Sequence, residues 1–173
     1  MKKSRRKTVT LSQSSRGKEV VHKKKSGAGG TVHTAAFGIL GSDSKKPEHK
    51  LTGIEKIQKI REGISKKNLE QLKERSGLDY DTLAKIFSVA KATLFNKKGN
   101  EKFSPSLSEK IFALADLYSY GYDVFEDKNS FNKWMATPNK ALGGQAPIDL
   151  VDTVHGIIEI KHLVGRIEYG VYS

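Results

Sequence analysis

The stretch PNKALGGQAPIDLVDTVHGIIEIKHLVGRIEYGVYS, residues 138–173, carries the strongest pattern in the chain. Pro147 suits the first position of a short helix over 147–151, because that position leaves its N–H unpaired anyway. Thr153 is a favoured N-cap for a longer helix that runs to about Tyr169. Apolar residues recur there at the spacing of an amphipathic helix, at Val154, Ile157, Ile160, Val164, Ile167 and Val171. Two tyrosines at 169 and 172 predict that the end of this segment docks on something.

Upstream of that segment, residues 54–87 show the caps and the periodicity of three short helices. Ser65 and Asp79 are N-caps for the second and the third, and Gly77 suits the C′ position between them. Apolar spacing predicts the inward residues, which are Ile54, Ile57, Ile60 and Ile64, then Leu69 and Leu72, then Leu83, Ala84, Ile86 and Phe87.

The spacing of Ala84, Ser88 and Leu94 is that of a helix-turn-helix. Such a motif needs a small residue where its helices approach, a turn residue four positions later and an apolar residue ten positions later. Glycine is commoner than serine at the turn, and other small helical domains can show the same spacing. Both interpretations stay open on spacing alone; the first predicts a recognition helix over residues 90–98.

Side chains on the outward side of that predicted helix suit DNA. Lysine and threonine anchor phosphates, and asparagine can hydrogen-bond adenine in the major groove. The candidate DNA-binding residues are Lys91, Thr93, Asn96, Lys97 and Lys98. The alternative is a solvated basic helix face, and Phe95 is interpreted as a core residue rather than a base contact.

Two further helices are predicted before Pro138. A capping box, Ser106 with Glu109, opens the first, which ends near Gly121. Asn129 or Ser130 caps the second. Their inward residues are Leu107, Ile111, Leu114 and Tyr118, then Phe131, Trp134 and Met135.

Positive charge is concentrated at the beginning of the chain. Residues 1–50 hold 13 Lys and Arg against three acidic residues, so this part carries +10 of the total +12. Its Lys, Ser and Gly content predicts a flexible basic leader, and the asymmetry points to an anionic partner such as DNA. The alternative is that the leader only adds solubility.

Several functional classes lack support in the sequence. Zero cysteines exclude disulfides and thiolate metal sites, and no apolar run reaches the ~18 residues of a membrane span. The cytoplasm is therefore the expected compartment. His155 and His162 lie seven apart without a completing carboxylate, so neither a metal site nor a cofactor is predicted. No Ser-His-Asp order or phosphate loop is present, and we predict that the chain is not an enzyme.

Residues 51–173 resemble the Xre/MbcA/ParS antitoxins, the partners of RES-type toxins. The matching residues, in order, are Trp134, Pro138-Asn139, Ala141-Leu142-Gly143-Gly144, Pro147-Ile148-Asp149-Leu150, Thr153, Gly156 and Arg166-Ile167-Glu168-Tyr169-Gly170-Val171-Tyr172-Ser173. The resemblance implies an Xre-like helix-turn-helix followed by a C-terminal toxin-binding domain. It also implies an NAD-degrading RES toxin as partner, whose active site the C-terminus of the antitoxin blocks.

The candidate toxin-binding residues are Arg166, Glu168, Tyr169, Gly170, Val171, Tyr172 and Ser173. Tyrosines lose little conformational entropy on burial, and the Ser173 carboxylate is an anion that could enter a site for NAD phosphates. For Arg166 and Glu168 the alternative is a surface salt bridge of little energetic consequence. Leu142-Gly143-Gly144 is interpreted as a structural turn.

The sequence thus predicts an all-α protein with a flexible basic leader at 1–50, a helix-turn-helix domain at 51–125 and a toxin-binding domain at 126–173. The first hypothesis is a type II antitoxin that neutralises its toxin and represses its own operon. Palindromic operators would require a homodimer or a higher hetero-oligomer with toxin. The alternatives are a DNA-binding regulator whose C-terminal domain serves dimerisation or ligand sensing, and a structural protein whose leader coats nucleic acid.

Overall fold

The structure, a computed structural model, describes residues 38–41 and 46–170. Within these residues the chain is helical and has no strand, which confirms the predicted all-α class. The helices are α1 (Gly53–Glu62), α2 (Lys66–Ser76), α3 (Tyr80–Phe87), α4 (Lys91–Phe95), α5 (Pro105–Phe125), α6 (Lys128–Met135) and α7 (Val154–Glu168). Short 3-10 helices lie at Glu48–Lys50, Lys140–Leu142 and Pro147–Asp149.

Both predicted caps of the helix-turn-helix region form. The side chains of Ser65 and Asp79 each accept a hydrogen bond from the backbone N–H three residues further on. Gly77 ends α2 in the left-handed conformation, at φ 72°. These local interactions set where α2 and α3 begin and where α2 ends.

The turn between α3 and α4 follows the predicted spacing. Ser88 adopts left-handed backbone at φ 55°, where glycine is the commoner residue. The Val89 N–H then donates to the Ala84 carbonyl over 3.0 Å, which closes the end of α3. Leu94 is fully buried, so α4 packs with the predicted side inward.

The 21-residue helix α5 is the element on which the others pack. It contacts α1, α2, α3, α6, α7 and the 3-10 helix Glu48–Lys50. Its predicted inward residues, Leu107, Ile111, Leu114 and Tyr118, are all buried.

The ends of α5 differ from the prediction. Ser104 is the N-cap and Pro105 the first residue, so Ser106 lies inside the helix and the predicted capping box is wrong. Proline at the first position costs no hydrogen bond, which favours this earlier start. The helix also continues past Gly121 to Phe125.

Helix α6 begins earlier than predicted. Its cap is Asp127, whose carboxylate accepts hydrogen bonds from the N–H groups of Asn129 and Ser130, the two residues expected to be caps. Phe131 is fully buried and Trp134 is partly buried against it. The ring of Phe131 meets four other aromatic rings within 5.7 Å between centroids, those of Tyr118, Tyr122, Phe125 and Trp134.

The segment between α6 and α7 contains the turn that the sequence indicates. The Asn139 N–H donates to the Gln145 carbonyl and the Gly144 N–H to the Asn139 carbonyl, each over 2.9 Å. Gly143 and Gly144 have φ values of 66° and 84°, which explains the pair of glycines. The predicted short helix that follows is the 3-10 helix Pro147–Asp149.

Helix α7 has the predicted cap and length. The Thr153 hydroxyl accepts a hydrogen bond from the Gly156 N–H over 3.0 Å. Ile160 and Val164 are fully buried against the core, as predicted. Val154 is 72% exposed, so its assignment to the inward stripe is wrong, because at about 100° per residue it lies about 120° around the helix from the buried Ile160. Val171 lies outside the described residues.

The predicted inward face of α1 is also partly wrong. Ile54 is 66% and Ile57 is 45% exposed, whereas Ile64, just beyond the helix, is buried. Helix α1 approaches α5 through the side of Lys56 and Ile60, which are four residues apart and therefore share a face. Because the side of Lys56 and Ile60 faces α5, Ile57 is turned toward solvent.

Part of the predicted flexible leader packs on the helices. Ile39 and Leu40 are buried, and their N–H groups donate to the two carboxylate oxygens of Glu48 over 2.7 and 2.8 Å. The Leu40 carbonyl accepts from the Asn68 amide over 2.6 Å, which ties this segment to α2. The prediction of a flexible leader is therefore wrong for residues 38–41 and 46–50, which pack on the helices. The other residues of the leader lie outside the described part.

Gly121 provides a test of the α5–α6 packing. A Cβ atom there would lie 2.2 Å from ring carbons of Phe131, which has no free space around it. We expect Gly121→Ala to lower the free energy of unfolding by about 1–3 kcal/mol, the usual cost of overpacking. Urea unfolding measures the difference. Gly53→Ala, which meets nothing within 4 Å, is the matched control and should be neutral or slightly stabilising. Equal stability of the two variants would contradict the packing.

Candidate functional site

Helix α4 is shorter than the predicted recognition helix. It ends at Phe95, Asn96 is its C-cap, and the chain then turns through Gly99 at φ 50°. Of the predicted DNA-binding residues, Lys91 and Thr93 lie on the helix, Asn96 at its end, and Lys97 and Lys98 in the loop beyond it. The structure therefore gathers all five on or just after one short helix.

These five side chains differ in their surroundings. Thr93, Asn96 and Lys98 are exposed, and Lys97 is half-buried with its ammonium 5.9 Å from the centre of the Phe103 ring. The Lys91 ammonium lies 2.7 Å from the Asp81 carboxylate, and both side chains are solvent-exposed. Exposed ion pairs contribute about 0–1 kcal/mol, so Lys91 can exchange Asp81 for a phosphate at little cost.

The outward side of α4 is defined by the buried Leu94. At about 100° per residue, the centre of the opposite side falls between Ala92 and Asn96, with Thr93 and Phe95 flanking it. Phe95 is 62% exposed, so its interpretation as a core residue is wrong. The inward position of Leu94 and this helical geometry together could have identified Ala92 as a surface residue from the sequence, whereas the exposure of Phe95, about 100° from Leu94 around the helix, depends on the packing of the neighbouring helices.

Phe95 is supported from below by a buried lysine. The Phe95 ring meets the Tyr80 ring edge-on, with centroids 5.9 Å apart and an interplanar angle of 89°. The Lys66 ammonium lies 4.2 Å from the Tyr80 ring centre, and donates to the Tyr80 hydroxyl over 2.7 Å and to the Leu94 carbonyl over 2.8 Å. Lys66 therefore links α2 to both α3 and α4. Nothing in the local sequence distinguishes it from its lysine neighbours.

A second candidate surface lies at the end of α7. Tyr169, the C-cap residue, is 80% exposed, and Gly170 follows at φ 67°. The Arg166 guanidinium lies 3.9 Å from the Glu159 carboxylate on the same helix, which fits the alternative of a weak surface pair. Val171, Tyr172 and Ser173 lie outside the described residues.

Glu168 is tied to α5 rather than to Arg166. Its carboxylate accepts a hydrogen bond from the Tyr120 hydroxyl over 2.6 Å. Burial, together with this carboxylate, raises the pKa of Tyr120 to about 12, so the hydroxyl remains a donor at neutral pH. The last turn of α7 is thereby held against α5 while Tyr169 projects from it.

Asp116 holds α1 and α7 on either side of α5. Its side chain is buried, and one oxygen lies 2.8 Å from the Lys56 ammonium of α1. The other oxygen pairs with the Lys161 ammonium of α7. A buried carboxylate needs such partners, since removal of one partner from a buried pair costs about 3–5 kcal/mol.

A Ser-His-Asp group, which the sequence order did not indicate, joins Glu48–Lys50 to α5. His49 Nδ1 lies 2.7 Å from the Ser119 hydroxyl and Nε2 lies 3.2 Å from the Asp123 carboxylate. Ser119 is buried in the middle of α5, and the Lys50 ammonium also pairs with Asp123 at 2.9 Å. A nucleophile must reach its substrate, so this group acts as a structural tie.

Among residues 38–41 and 46–170, no group of three His, Asp or Glu side chains is placed to hold a metal ion. Over the same described residues, no helix combines the length and the apolar character needed to cross a bilayer.

Two family models match the chain in sequence. The model of the antitoxin Xre-like helix-turn-helix domain matches residues 55–116, and that of the antitoxin Xre/MbcA/ParS C-terminal toxin-binding domain matches residues 121–170. The first match ends and the second begins inside α5, so this one continuous helix contributes to both domains.

Individual relatives point in the same direction. "Antitoxin Xre" of Yersinia enterocolitica is 38% identical over 73 residues, which are 42% of this chain and 49% of the relative. "Antitoxin Xre" of Photorhabdus laumondii is 33% identical over 76 residues, or 43% and 51% of the two chains. This chain thus spans about half the length of these two relatives. A Sphingobium protein named "Prs ADP-ribosylating antitoxin" is 25% identical over 139 residues, or 74% and 87%.

His49 makes the attachment of residues 46–50 sensitive to pH. Burial lowers the pKa of His49 below its ordinary value of 6.5, although Asp123 opposes the shift. The folded protein therefore favours neutral His49. The contribution of this preference to the free energy of unfolding is complete above pH 6.5, and it is lost as pH falls from there toward the folded-state pKa. Urea unfolding between pH 7.5 and 5.5 should show this loss.

The control is His49→Gln, which removes the titrating group and keeps hydrogen-bonding capacity. Its stability should vary less over this pH range than that of the wild type. The same slope in both proteins would show that another group causes the pH dependence. Carboxylates with lowered pKa, such as those of Asp79 and Asp127, act at more acidic pH and do not interfere.

Proposed function

This chain belongs to the Xre/MbcA/ParS family of antitoxins, and from that premise we propose that it neutralises a RES-type, NAD-degrading toxin in the cytoplasm. We propose that residues 166–173 enter the active site of that toxin. The same chain represses its own operon through α4 and the loop that follows. Repression at a palindromic operator requires an assembly with two helix-turn-helix domains, as a homodimer or within a toxin complex.

The observation that carries the toxin-binding half is the exposure of Tyr169. A large aromatic side chain that is 80% exposed at a well-anchored helix end has no role in this chain's own core. Tyrosines are enriched among residues that dominate binding energy, since they bury a large area at low entropic cost. The hydrogen bond from the Tyr120 hydroxyl to Glu168 holds the last turn of α7 against α5.

Entry of residues 166–173 into the toxin's active site could inhibit either of two toxin reactions. A RES-type toxin degrades NAD, whereas the name of the Sphingobium relative refers to ADP-ribosylation of Prs. Both reactions break the bond between nicotinamide and ribose in NAD. In hydrolysis water attacks the ribose carbon, and in transfer a group on the target protein does. A segment that fills the NAD site would stop either one.

DNA binding is the second half of the proposal. The outward side of α4 ends at Asn96, whose amide can make paired hydrogen bonds to adenine. Lys91, Lys97 and Lys98 place three positive charges on and next to this short helix. The basic residues at 1–50 would add attraction for DNA that does not depend on sequence.

A competing function is a DNA-binding regulator without a toxin, in which the C-terminal domain mediates dimerisation. Exposed Val154 and Ile158 on α7 favour it, since apolar side chains 72% and 43% exposed suit an interface. Co-purification with the product of a neighbouring gene distinguishes the two functions. A dimer that dissociates on Val154→Asp with Ile158→Asp and captures no such product would support the competing function.

For the toxin, we expect removal of residues 171–173, or the substitution Tyr169→Ala, to abolish neutralisation without unfolding the chain. Truncation of a dominant interface residue costs about 2 kcal/mol or more, which is about a 30-fold loss of affinity. The neighbouring gene product is assayed for NAD depletion and for ADP-ribose transfer, each with and without the antitoxin. Val154→Ala is the control, because it removes an exposed apolar side chain from the opposite end of α7. Full neutralisation by both altered chains would overturn the proposal that residues 166–173 block the toxin's active site.

For DNA, we expect Lys91→Ala, Thr93→Ala and Asn96→Ala to weaken operator binding and to leave toxin binding intact. Asn96→Ala should cost about 1–3 kcal/mol and relax specificity at one base pair, whereas Lys91→Ala should weaken all sequences and reduce the salt dependence. Asp81→Asn should strengthen binding, since it releases Lys91 and removes a negative charge.

The charge control for these variants is Lys128→Ala on α6, which changes the net charge equally. Fluorescence anisotropy on the promoter DNA at two salt concentrations gives each affinity. Unchanged affinity in all three α4 variants would move the DNA-binding surface elsewhere.

A further inference from the structure

Phe95 is exposed to solvent and is at the same time held by neighbouring side chains. Its ring is 62% exposed, yet an edge-on contact with Tyr80 at 5.9 Å holds it in place. The Tyr80 ring is itself held by the Lys66 ammonium, 4.2 Å from its centre. The exposed aromatic ring is therefore pre-oriented rather than free to rotate away from a partner.

The support for this ring comes at an energetic cost. The Lys66 side chain is only 4% exposed, and a buried ammonium is destabilising unless its hydrogen bonds are satisfied. Its partners are the Tyr80 hydroxyl, the Leu94 carbonyl and, at 3.7 Å, the Glu70 carboxylate. An apolar residue could fill this space without that cost. What the lysine adds is a fixed geometry for Tyr80, for the end of α4 and hence for Phe95.

The position of Phe95 identifies the kind of partner. It lies about 80° from the centre of the outward side of α4, next to Ala92, and lysines precede it at 91 and follow it at 97 and 98 in the chain. Those charges attract phosphates, and a helix that they anchor in the major groove would bring its exposed aromatic ring close to the edges of the bases. The C5 methyl of thymine is the apolar group that unmodified bases present in the major groove.

We propose that Phe95 determines sequence specificity by packing its ring against the C5 methyl group of a thymine in the major groove. The proposal rests on the proposed DNA binding by α4 and adds the base that this helix selects. Asn96 and Phe95 then have different tasks, since the amide recognises adenine by hydrogen bonds and the ring recognises thymine by apolar contact.

The experiment removes the methyl group and nothing else. Duplexes that the full-length chain selects from a random library are resynthesised with one deoxyuridine in place of each thymine in turn. Uracil keeps the pairing and the O4 acceptor of thymine. We expect one substitution per half-site to weaken wild-type binding about fourfold, which is what burial of one methyl group contributes. Phe95→Ala should bind the thymine and the uracil duplexes equally.

Two controls separate the proposal from the function on which it rests. Ile54→Ala, also at an exposed apolar residue, should keep the full uracil effect. Phe95→Leu, which retains an apolar side chain, should keep part of it. Circular dichroism and thermal unfolding establish that each variant is folded. If the wild type selects no duplex, the DNA-binding function fails and the proposal with it.

Other outcomes overturn the proposal alone. Wild-type binding that tolerates every uracil substitution would show that no methyl group is recognised. A uracil effect that persists in Phe95→Ala would assign the methyl contact to another residue. If Phe95→Ala keeps its affinity and its uracil effect but converts a dimer to a monomer in gel filtration, Phe95 belongs to an interface with a second copy of the chain.

Discussion

Both halves of the chain bury their apolar faces against the same helix, α5, and this shared helix is the constraint on which the structure depends. Helices α1, α2 and α3 pack on it from the N-terminal side of the sequence, and α6 and α7 from the C-terminal side. Neither set of short helices could bury a sufficient core alone, because small domains bury a smaller fraction of their surface. The buried Asp116 carboxylate, which lies between Lys56 and Lys161, fixes two of these helices on α5 at once.

Buried polar groups specify this arrangement at several places. Glu48 accepts the N–H groups of Ile39 and Leu40, Lys66 joins α2 to α3 and α4, and His49 connects Glu48–Lys50 to α5. Each of these groups has its hydrogen-bonding partners, as buried polar groups require. Apolar contacts alone would allow the helices to slide, whereas directional bonds require one register.

The two candidate surfaces consist of exposed residues supported by buried ones. Phe95 and Asn96 lie on and at the end of α4, which the buried Leu94 and Lys66 hold in place. Tyr169 lies at the end of α7, which contacts with Tyr120 and Asp116 hold against α5. Substitutions at the exposed residues can therefore alter binding without loss of the fold. The supporting residues cannot be changed with the same independence, because they belong to the core.

The sequence by itself determined the features that arise within one or two helical turns. Ser65, Asp79 and Thr153 cap their helices, Ser88 forms the turn and Leu94 faces inward, because caps, turns and periodicity depend only on neighbouring residues. The tertiary structure decided which side of α1 faces α5, that Gly121 lies within a helix against Phe131, that residues 38–41 are buried, and that Phe95 is exposed. It also brought His49 to Ser119, and Lys56 to Asp116. These outcomes depend on partners 8 to 70 residues apart in sequence, and local periodicity carries no information about which distant surface a helix will meet.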